Sequence, residues 1–320
     1  MMMMMKASPF NAGEQALQTA AGVRERMEQV GRSIIRKHMP EQHRELFEKL
    51  PALWLGTLDE AGQPWATIVT GAPGFVDTPD PQTLHVAAQL AASDPAAVGL
   101  KPGAAIGILG LEPHTRRRNR MNGEVSAVGD EGFAVSVVQS FGNCPRFIQA
   151  RQPIPGAAHV PGAVSAEGPI LSAAARSLIE RADTFFIASS SGPQIEDGGQ
   201  GGAGVDVSHR GGPPGFVQRL STPSGHSLLL PDYQGNMMFN TLGNLLLWPR
   251  AGLLFIDWNT GDVLQLAATA EIKAATEQQA AAKPVVQTQL SLRIEGGWWR
   301  PAALPMRWTA PEPAPQFMAA

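Results

Sequence analysis

A near-repetition divides this sequence into two halves. Gly71–Val76 (Gly-Ala-Pro-Gly-Phe-Val) returns as Gly212–Val217 (Gly-Pro-Pro-Gly-Phe-Val), and the stretch that Pro102 opens aligns without a gap with the stretch that Pro249 opens. A shared order of elements at near-constant spacing is typical of a duplicated structural unit. The sequence therefore predicts two domains of the same fold. Two fused copies often reproduce a homodimer, and a site that a homodimer makes twice can then survive in one copy alone.

The bulk composition fits two compact domains. The chain has 320 residues, of which 43% are hydrophobic and 17% are charged. That length favours about two domains, and the apolar content is sufficient for real cores. The formal net charge of −3 gives no general attraction to nucleic acid or to an anionic membrane. Any anion-binding site must therefore be local.

Several classes of protein are excluded by what the sequence lacks. Cys144 is the single cysteine, so neither an intrachain disulfide nor a multi-thiolate zinc site can form. The histidines are scattered, and we expect no metal site. The Met1–Met5 run is followed by Lys6 without the apolar core of a secretory signal, and no apolar stretch reaches the ~20 residues that span a bilayer. The sequence predicts a cytoplasmic protein.

Short strands with turn residues between them make up most of the predicted structure. This pattern favours small antiparallel barrels over a βαβ sheet. Apolar residues at three- and four-residue steps predict a helix between Gly13 and His38, which we expect to pack on the first barrel. The predicted organisation is a helical arm over 1–40, a first barrel over 41–151, a Pro- and Gly-rich linker over 152–169, a second barrel over 170–295 and a tail over 296–320. A Gly-rich insertion at Gly192–Gly204 is predicted to be mobile.

The two copies differ in a segment that suits phosphate binding. Aligning the Gly-Phe-Val anchors sets Thr67 opposite Ser208 and Val69 opposite Arg210, within Asp206–Gly212 (Asp-Val-Ser-His-Arg-Gly-Gly) of the second copy. Arginine supplies paired donors, serine supplies a hydroxyl, and glycine-flanked amides can form a nest for an anion. An ordinary polar turn with an exposed arginine is an equal alternative.

An arginine-rich segment distinguishes the first copy. If Thr115–Gly123 is a strand, Arg116, Arg118 and Arg120 fall on one face. The aligned residues of the second copy are the uncharged Val263, Gln265 and Ala267. Three like charges side by side require carboxylates, solvent or a bound anion. The alternatives are a solvated basic edge, an anionic ligand and a partner surface.

A helix start in the second copy offers a further set of donors. Asn240 and Thr241 are predicted to lie at the entry of a short helix, where backbone amides are free to bind an anion. The alternative is that these residues only cap the helix.

These segments resemble the pyridoxamine 5′-phosphate oxidase-like, FMN-binding split-barrel family, and most closely its double-domain branch of predicted flavin-nucleotide-binding proteins. The residues that carry the resemblance are Thr115–Gly123, Ser140–Gln149, Asp206–Gly212 and Gly235–Phe255, and it extends from about Arg24 to Trp308. The resemblance implies a mainly β fold with peripheral helices, in which two tandem split β-barrels are related by a pseudo-two-fold axis.

The resemblance also implies where a flavin would bind. In this family FMN lies in the groove between two barrels, with its phosphate held by one barrel and its ring against the other. The residues that the resemblance assigns to the site are Ser208, His209, Arg210, Gly211, Asn240, Thr241 and Asn244 of the second barrel and Arg118, Arg120 and Asn122 of the first. Asn240-Thr241 stands where the oxidase itself carries an Arg-Lys pair, so vitamin B6 oxidation is not implied.

The leading functional hypothesis is an FMN-binding oxidoreductase of unknown substrate, with one flavin held mainly by the second barrel. No catalytic acid or base can be named from the sequence. A second hypothesis is a non-catalytic flavin carrier or the partner subunit of a separate reductase. A third is haem binding or haem degradation, with His209 or His226 as axial ligand. The chain is expected to be a monomer with an internal pseudo-dimer, or a homodimer.

Overall fold

Strands dominate the structure, a computed structural model that describes residues 7–154, 156, 159–192, 204–282 and 284–318. Its helices are peripheral: α1 (Ala12–Ala20), α2 (Arg24–Ile34), α3 (Glu41–Lys49), α4 (Ala173–Arg181), α5 (Asn240–Leu247) and α6 (Glu277–Ala280). None of the helices in the described ranges has the length and apolar content needed to cross a bilayer. Most of the predicted insertion at Gly192–Gly204 lies outside the described residues.

The first half of the chain forms a seven-stranded antiparallel sheet. Its strands are β1 (Ala52–Leu58), β2 (Pro64–Thr70), β3 (Val76–Asp80), β4 (Thr83–Val86), β5 (Ala105–Glu112), β6 (Arg117–Gly129) and β7 (Gly132–Gly142). They pair in the order β2-β1-β5-β6-β7-β4-β3. Leu53, Leu55 and Met121 belong to the buried cluster that fills this barrel.

The second half forms a sheet with the same order of strands. After the short β8 (Pro153–Ile154) and β9 (Ser165–Glu167) come β10 (Thr184–Ser190), β11 (Val205–Gly211), β12 (Gln218–Thr222), β13 (Gly225–Tyr233), β14 (Arg250–Ile256), β15 (Val263–Ala274) and β16 (Val286–Arg300). The order is β11-β10-β14-β15-β16-β13-β12, which matches the first sheet strand for strand. The mainly β class and the two tandem barrels are thus confirmed.

The ends of the second barrel differ from the sequence-based boundaries. β16 continues to Arg300 and so passes the predicted boundary at residue 295. β9, inside the predicted linker, adds to the edge of β16. The tail contributes β17 (Arg307–Trp308), which pairs with β8 of the linker. Linker and tail therefore lie along the barrels as short added strands.

β1 and β10 are buried on both faces because each lies between its own core and the other barrel. In β1, Leu53 and Leu55 face the first core, while Trp54 belongs to a third cluster between the barrels. Phe186 of β10 belongs to the same third cluster, and its ring stacks on Trp54 with centroids 4.7 Å apart. This double burial explains why the alternation of polar and apolar residues is lost in these strands.

The strand registers show that Trp54 and Phe186 are equivalent residues that meet each other. Leu55 pairs with Thr67 and Ile108, just as Ile187 pairs with Ser208 and Leu253. A contact between equivalent residues marks the pseudo-two-fold axis that relates the barrels.

Two equivalent glycines let the backbones of the barrels come together. A Cβ atom added to Gly107 in β5 would lie 2.6 Å from the carbonyl oxygen of Val205. One added to Gly252 in β14 would collide in the same way with the carbonyl oxygen of Pro64. The reciprocal contacts show that the interface, like the sheets, follows the pseudo-two-fold axis.

The registers also correct the alignment made from sequence. Because Ile108 pairs with Met121 and Leu253 pairs with Leu266, Arg118 stands opposite Val263 and Arg120 opposite Gln265. The sequence alignment had paired Arg118 with Gln265. The bulges that follow Asn122 in β6 and Ala267 in β15 lie at equivalent positions, which supports the register.

The N-terminal arm differs from the prediction in two ways. Gly22, with a φ of 69°, interrupts the helix, so the arm consists of α1 and α2. α1 packs on α5 of the second barrel, where a Cβ atom on Gly13 would collide with the carbonyl oxygen of Gly243. The expectation that the arm packs on the first barrel was therefore wrong for α1. Met27 of α2 packs beside both Phe141 and Met238, which belong to different barrels.

The close approach at Gly107 predicts a large effect of a single methyl group. Gly107→Ala should destabilise the fold by about 1–3 kcal/mol, since the new Cβ must push the backbone of Val205 away. Gly129→Ala, at the exposed end of β6 with no atom within 4 Å of the new Cβ, is the matched control and should change stability by less than about 0.5 kcal/mol. Chemical denaturation of both variants tests this, and equal effects would contradict it.

Candidate anion-binding cleft between the barrels

A cleft opens where β6 of the first barrel faces β11 and α5 of the second. Most of the predicted site residues line it: Arg118, Arg120, Ser208, His209, Arg210, Gly211, Asn240 and Thr241. The loop after β7 and the end of β13 complete the wall with Asn143, Cys144, Arg146, Phe147, Asp232 and Tyr233. Residues from both halves therefore converge here.

Arg120 joins the two barrels across the floor of the cleft. Its guanidinium forms a buried ion pair with Asp206, with Nη1 3.0 Å from Oδ1, and donates to the Val207 carbonyl at 3.2 Å and to Ser208 Oγ. Thr241 Oγ1 donates to the same serine oxygen at 3.0 Å. Arg120 Nε is buried without a partner among the described residues. This arginine is thus fixed in place with one donor to spare.

Arg118 is a partly buried positive charge of the cleft. Its Nε donates to the Cys144 carbonyl at 2.8 Å, and among the described residues it has no carboxylate within ion-pair distance. Burial, with the neighbouring positive charges of Arg120 and Arg210, lowers the pKa of Arg118 to about 10. An anion bound nearby would relieve that repulsion.

Arg210 shares its face of β11 with Ser208, because side chains two apart point the same way. Its Nη1 pairs with Asp232 of β13, and its Nε is buried without a partner among the described residues. Arg210, which the sequence predicts to bind a phosphate, therefore already has a carboxylate partner in Asp232.

His209 points to the other side of β11, into the contact between the barrels. Its ring meets Phe186 edge-on, with centroids 5.6 Å apart. Burial and the charges of Arg118 and Arg151 hold the pKa of His209 well below its usual range, so the imidazole is neutral. It can offer or accept a hydrogen bond but carries no charge into the cleft.

Gly211 is a glycine because backbone passes directly against it. A Cβ atom at this position would collide with the carbonyl oxygen of Phe147, a residue whose φ is 67°. The loop after β7 is thereby held against the end of β11.

Asn122 and Asn244 do not line the cleft but hold Asp206 from behind. Asn122 Nδ2 donates to Asp206 Oδ1 and Asn244 Nδ2 to Oδ2, each at 2.8 Å. Asn244 Oδ1 in turn accepts from Asn11 of the arm at 2.8 Å. These two residues therefore orient the carboxylate that orients Arg120.

Glu14 of the arm is a site residue that the sequence did not reveal. Its carboxyl accepts hydrogen bonds from the Asn11 amide at 2.7 Å and from Asn240 Nδ2. The side chain of Asn240 is thus occupied by the arm. Burial and the negative charge of Asp206 raise the pKa of Glu14 to about 8, so the group is mostly protonated at neutral pH.

Arg116 does not belong to the arginine face that the sequence predicts. It precedes β6 in a left-handed conformation with φ 55°, so the alternation of the strand does not include it. Its guanidinium donates to the Ile148 carbonyl at 3.2 Å and pairs with Glu312 at 2.9 Å. Pro113, which starts the turn ahead of the strand, was the available signal.

The pseudo-two-fold axis relates the cleft to a second position, where side chains form a closed hydrogen-bond network instead of a cleft. Asp94 caps the 3-10 helix Pro95–Gly99, accepting from the Ala96 amide at 3.0 Å, and also accepts from Gln265 at 2.9 Å and from Thr67 Oγ1. Arg300 pairs with the same carboxylate at 2.6 Å. Gln265 and Thr67 are the counterparts of Arg120 and Ser208, so the second position is filled by the protein itself.

Two observations on the described residues concern metal and haem binding. They contain no cluster of three or more histidine, cysteine, aspartate or glutamate side chains that could hold a metal ion. His226 does not line the cleft, and its Nδ1 accepts from the Leu171 amide at 3.1 Å.

Comparison with known families gives one match. Residues 39–160 match the family model described as pyridoxamine 5′-phosphate oxidase. This range contains the first barrel with β6 and its arginines. No functionally curated protein matches the chain.

Several solved structures share weak likeness with parts of the chain. An FMN-binding protein from Syntrophomonas wolfei is 16% identical and covers 39% of this chain and 96% of its own, with a TM-score of 0.26. A protein of the pyridoxine phosphate oxidase family from Clostridium acetobutylicum is 17% identical, with coverages of 42% and 91% and a TM-score of 0.28. The haem storage protein HutZ from Vibrio cholerae is 12% identical, with coverages of 41% and 95% and a TM-score of 0.25. Likeness this weak carries no weight for function.

The raised pKa of Glu14 predicts a pH-dependent stability. Between the unfolded value of 4.5 and about 8, the folded state binds the proton more tightly, so stability falls as pH rises through this window, by up to about 1.4 kcal/mol per pH unit. Glu14→Gln should remove most of this fall, because a neutral amide keeps the shape and can bond to a turned Asn240 amide. Unfolding midpoints at pH 5 and pH 8 measure the effect.

Glu25→Gln, an exposed change on α2, is the control and should leave the pH dependence of the wild type intact. A Glu14→Gln variant that loses as much stability as the wild type between the two pH values would show that the buried carboxyl is not the cause.

Proposed function

We propose that this chain, whose residues 39–160 match the pyridoxamine 5′-phosphate oxidase family model, is an FMN-binding oxidoreductase with one flavin site, the cleft between the barrels. The phosphate of the flavin would lie against the amino end of α5, Ser208 and the arginines of β6.

The observation that carries this proposal is the missing cap of α5. Counting back from the paired strands β5 and β14 places Phe239 where the first half has Asp94, each directly before its helix. The Asp94 carboxylate accepts hydrogen bonds from the Ala96 amide of the helix, from Thr67 and from Gln265. Phe239 supplies no side-chain cap. The first half thus contains an internal anion at the place where the second half offers donors to an external one.

The charge of the cleft supports an anionic ligand. Four arginines line it, Arg118, Arg120, Arg146 and Arg210, whereas Asp232 is the one carboxylate among the described lining residues and Asp206 pairs with Arg120 from behind. The unpartnered Nε atoms of Arg120 and Arg210 and Nδ2 of Asn143 are the donors available for phosphate oxygens. A phosphate dianion at a helix start framed by arginines is a favourable arrangement. The residues present therefore fit the phosphate end of FMN.

The same comparison supports one site per chain. The position related by the pseudo-two-fold axis has Gln265 in place of Arg120. There the Asp94 carboxylate, paired with Arg300, occupies the space that an anion would need. A phosphate there would have to displace a buried carboxylate from its cation, at a cost of several kcal/mol.

Bound FMN would supply the hydride or electron chemistry, and the chain would bind and orient it. Arg120 is held by Asp206, and Asp206 by Asn122 and Asn244, so the cleft is preorganised by hydrogen bonds rather than by its ligand. The neutral His209 offers no protonated imidazole near pH 7. Proton delivery by this residue is therefore not part of the proposal.

Arg118 and Arg117 provide a matched pair of variants for FMN binding. Arg118→Met should raise the FMN dissociation constant about 10- to 100-fold, since a charge-assisted hydrogen bond contributes about 1.5–3 kcal/mol. Arg117→Met removes the neighbouring arginine, which points away from the cleft and donates to the Gln42 carbonyl, and should change affinity less than about twofold. Quenching of flavin fluorescence on titration gives both values. Equal losses would argue against the cleft as the phosphate site.

The stoichiometry of flavin is a separate prediction. Saturated protein should hold one FMN per chain, as measured by flavin absorbance against protein concentration. Two FMN molecules per chain would contradict the conclusion that Asp94 blocks the second, pseudo-symmetric position. A Soret band without flavin absorbance would favour haem instead, and flavin binding without turnover of reduced nicotinamide would favour a carrier.

A further inference from the structure

A second cavity adjoins the cleft and has a different chemical character. It encloses about 450 Å³, within the usual range for small-molecule pockets. The two cavities share Phe216, Pro231 and Tyr233 as wall residues. We propose that this second cavity binds the substrate or electron acceptor of the flavin, and that this ligand is an uncharged ring compound bearing carbonyl or hydroxyl groups. The proposal rests on the proposed function.

The floor of the cavity is the outer face of the sheet in the second barrel. Gln218 pairs with Leu229, and Pro231 pairs with Gln289, so these side chains emerge on one face of β12, β13 and β16. Leu228 and Leu230, which alternate with them along β13, belong to the barrel core, and Leu230 also borders the cavity. The cavity is therefore supported by strands, which place its side chains firmly.

Three other segments of the chain form the walls. They are the Pro213–Phe216 loop, the residues around α6 with Gln279 and Ala282, and Gln316 with Phe317 near the C-terminal end. The tail is tied to the first cleft, because Gln316 Oε1 accepts from the Phe147 amide at 3.2 Å.

Three aromatic rings stand where the two cavities meet. Phe147, Tyr233 and Phe317 have ring centroids 5.1 to 5.6 Å apart. Tyr233 borders both cavities, Phe147 only the first and Phe317 only the second. A ligand in the second cavity would thus lie against the rings that also border the cofactor cleft. This adjacency links the cavity to the flavin.

The lining chemistry selects the class of ligand. None of the described residues that line the second cavity carries a charge. Its polar side chains are Tyr233 and the four glutamines Gln218, Gln279, Gln289 and Gln316. A primary amide both donates and accepts, which suits carbonyl and hydroxyl groups. Proline, leucine and phenylalanine walls suit an apolar ring.

The same lining disfavours a phosphate ester. A phosphorylated ligand would bring up to about two negative charges into a site whose described lining residues include no cation, while the arginines next to it serve the cofactor cleft. The contrast between an arginine-rich cleft and a neutral neighbour predicts that the cofactor is charged and that its reaction partner is not.

The test uses N-phenyl-1-naphthylamine, an uncharged ring compound whose fluorescence rises in apolar surroundings. The full-length protein loaded with FMN should bind this probe saturably. Leu229→Lys places a charge on the cavity floor at a half-buried position and should weaken probe binding at least about 10-fold. Leu220→Lys makes the same change on the adjacent strand β12, at a leucine that is 44% exposed and does not line the cavity. It should bind the probe like the wild type.

Competition and cofactor binding complete the experiment. Menadione, an uncharged ring dione, should displace the probe, and pyridoxine 5′-phosphate should not. Both lysine variants should keep FMN affinity within about twofold of the wild type. Equal probe binding by both variants, or displacement by pyridoxine 5′-phosphate, overturns the inference. If the wild-type protein fails to bind FMN but the probe results are as expected, the proposed flavin function is overturned instead.

Discussion

The packing of β1 on β10 across the pseudo-two-fold axis is the constraint on which the rest of the molecule depends. Trp54 stacks on its own counterpart Phe186, and the backbones on either side approach each other at Gly107 and Gly252. This contact brings the outer face of β6 within hydrogen-bond distance of β11, so that Arg120 reaches Asp206 and Val207. The packing of β1 on β10 therefore fixes the position of the cleft.

Because the backbones of the two barrels are related by pseudo-two-fold symmetry, side chains that differ at equivalent positions indicate where the two halves differ in function. One hydrogen bond occurs in both halves, because Arg120 donates to the Val207 carbonyl and Gln265 donates to the Ala66 carbonyl. The surroundings of that shared bond differ. Next to Gln265 the Asp94 carboxylate closes the network, whereas next to Arg120 several buried donors have no partner among the described residues. Joining both copies in one chain permits this divergence, because each copy can change without altering the other. A homodimer would place every substitution in both positions at once.

The sequence predicted the fold better than the site, for a physical reason. The repeat and the short strands separated by turns are visible as local patterns, and both agree with two sheets that share one strand order. Asp206, the carboxylate that orients Arg120, lies 86 residues further along the chain and in the other barrel, and a single sequence holds no signal for such a pairing. The contact of Glu14 with Asn240 was hidden in the same way. Arg116 was misplaced because the strand starts after it, and one residue decides which face a side chain takes.

The arm has a consequence for the integrity of the chain. By sequence α1 precedes the first barrel, but by contact it belongs to the second, where Asn11 and Glu14 bond to α5. A cut in the linker would therefore not release two self-sufficient halves. The amino-terminal fragment would carry away a helix that the other fragment needs, and the second fragment would expose the α5 surface that α1 covers. The chain is thus two domains by topology, but the helix that completes the second domain is encoded ahead of the first.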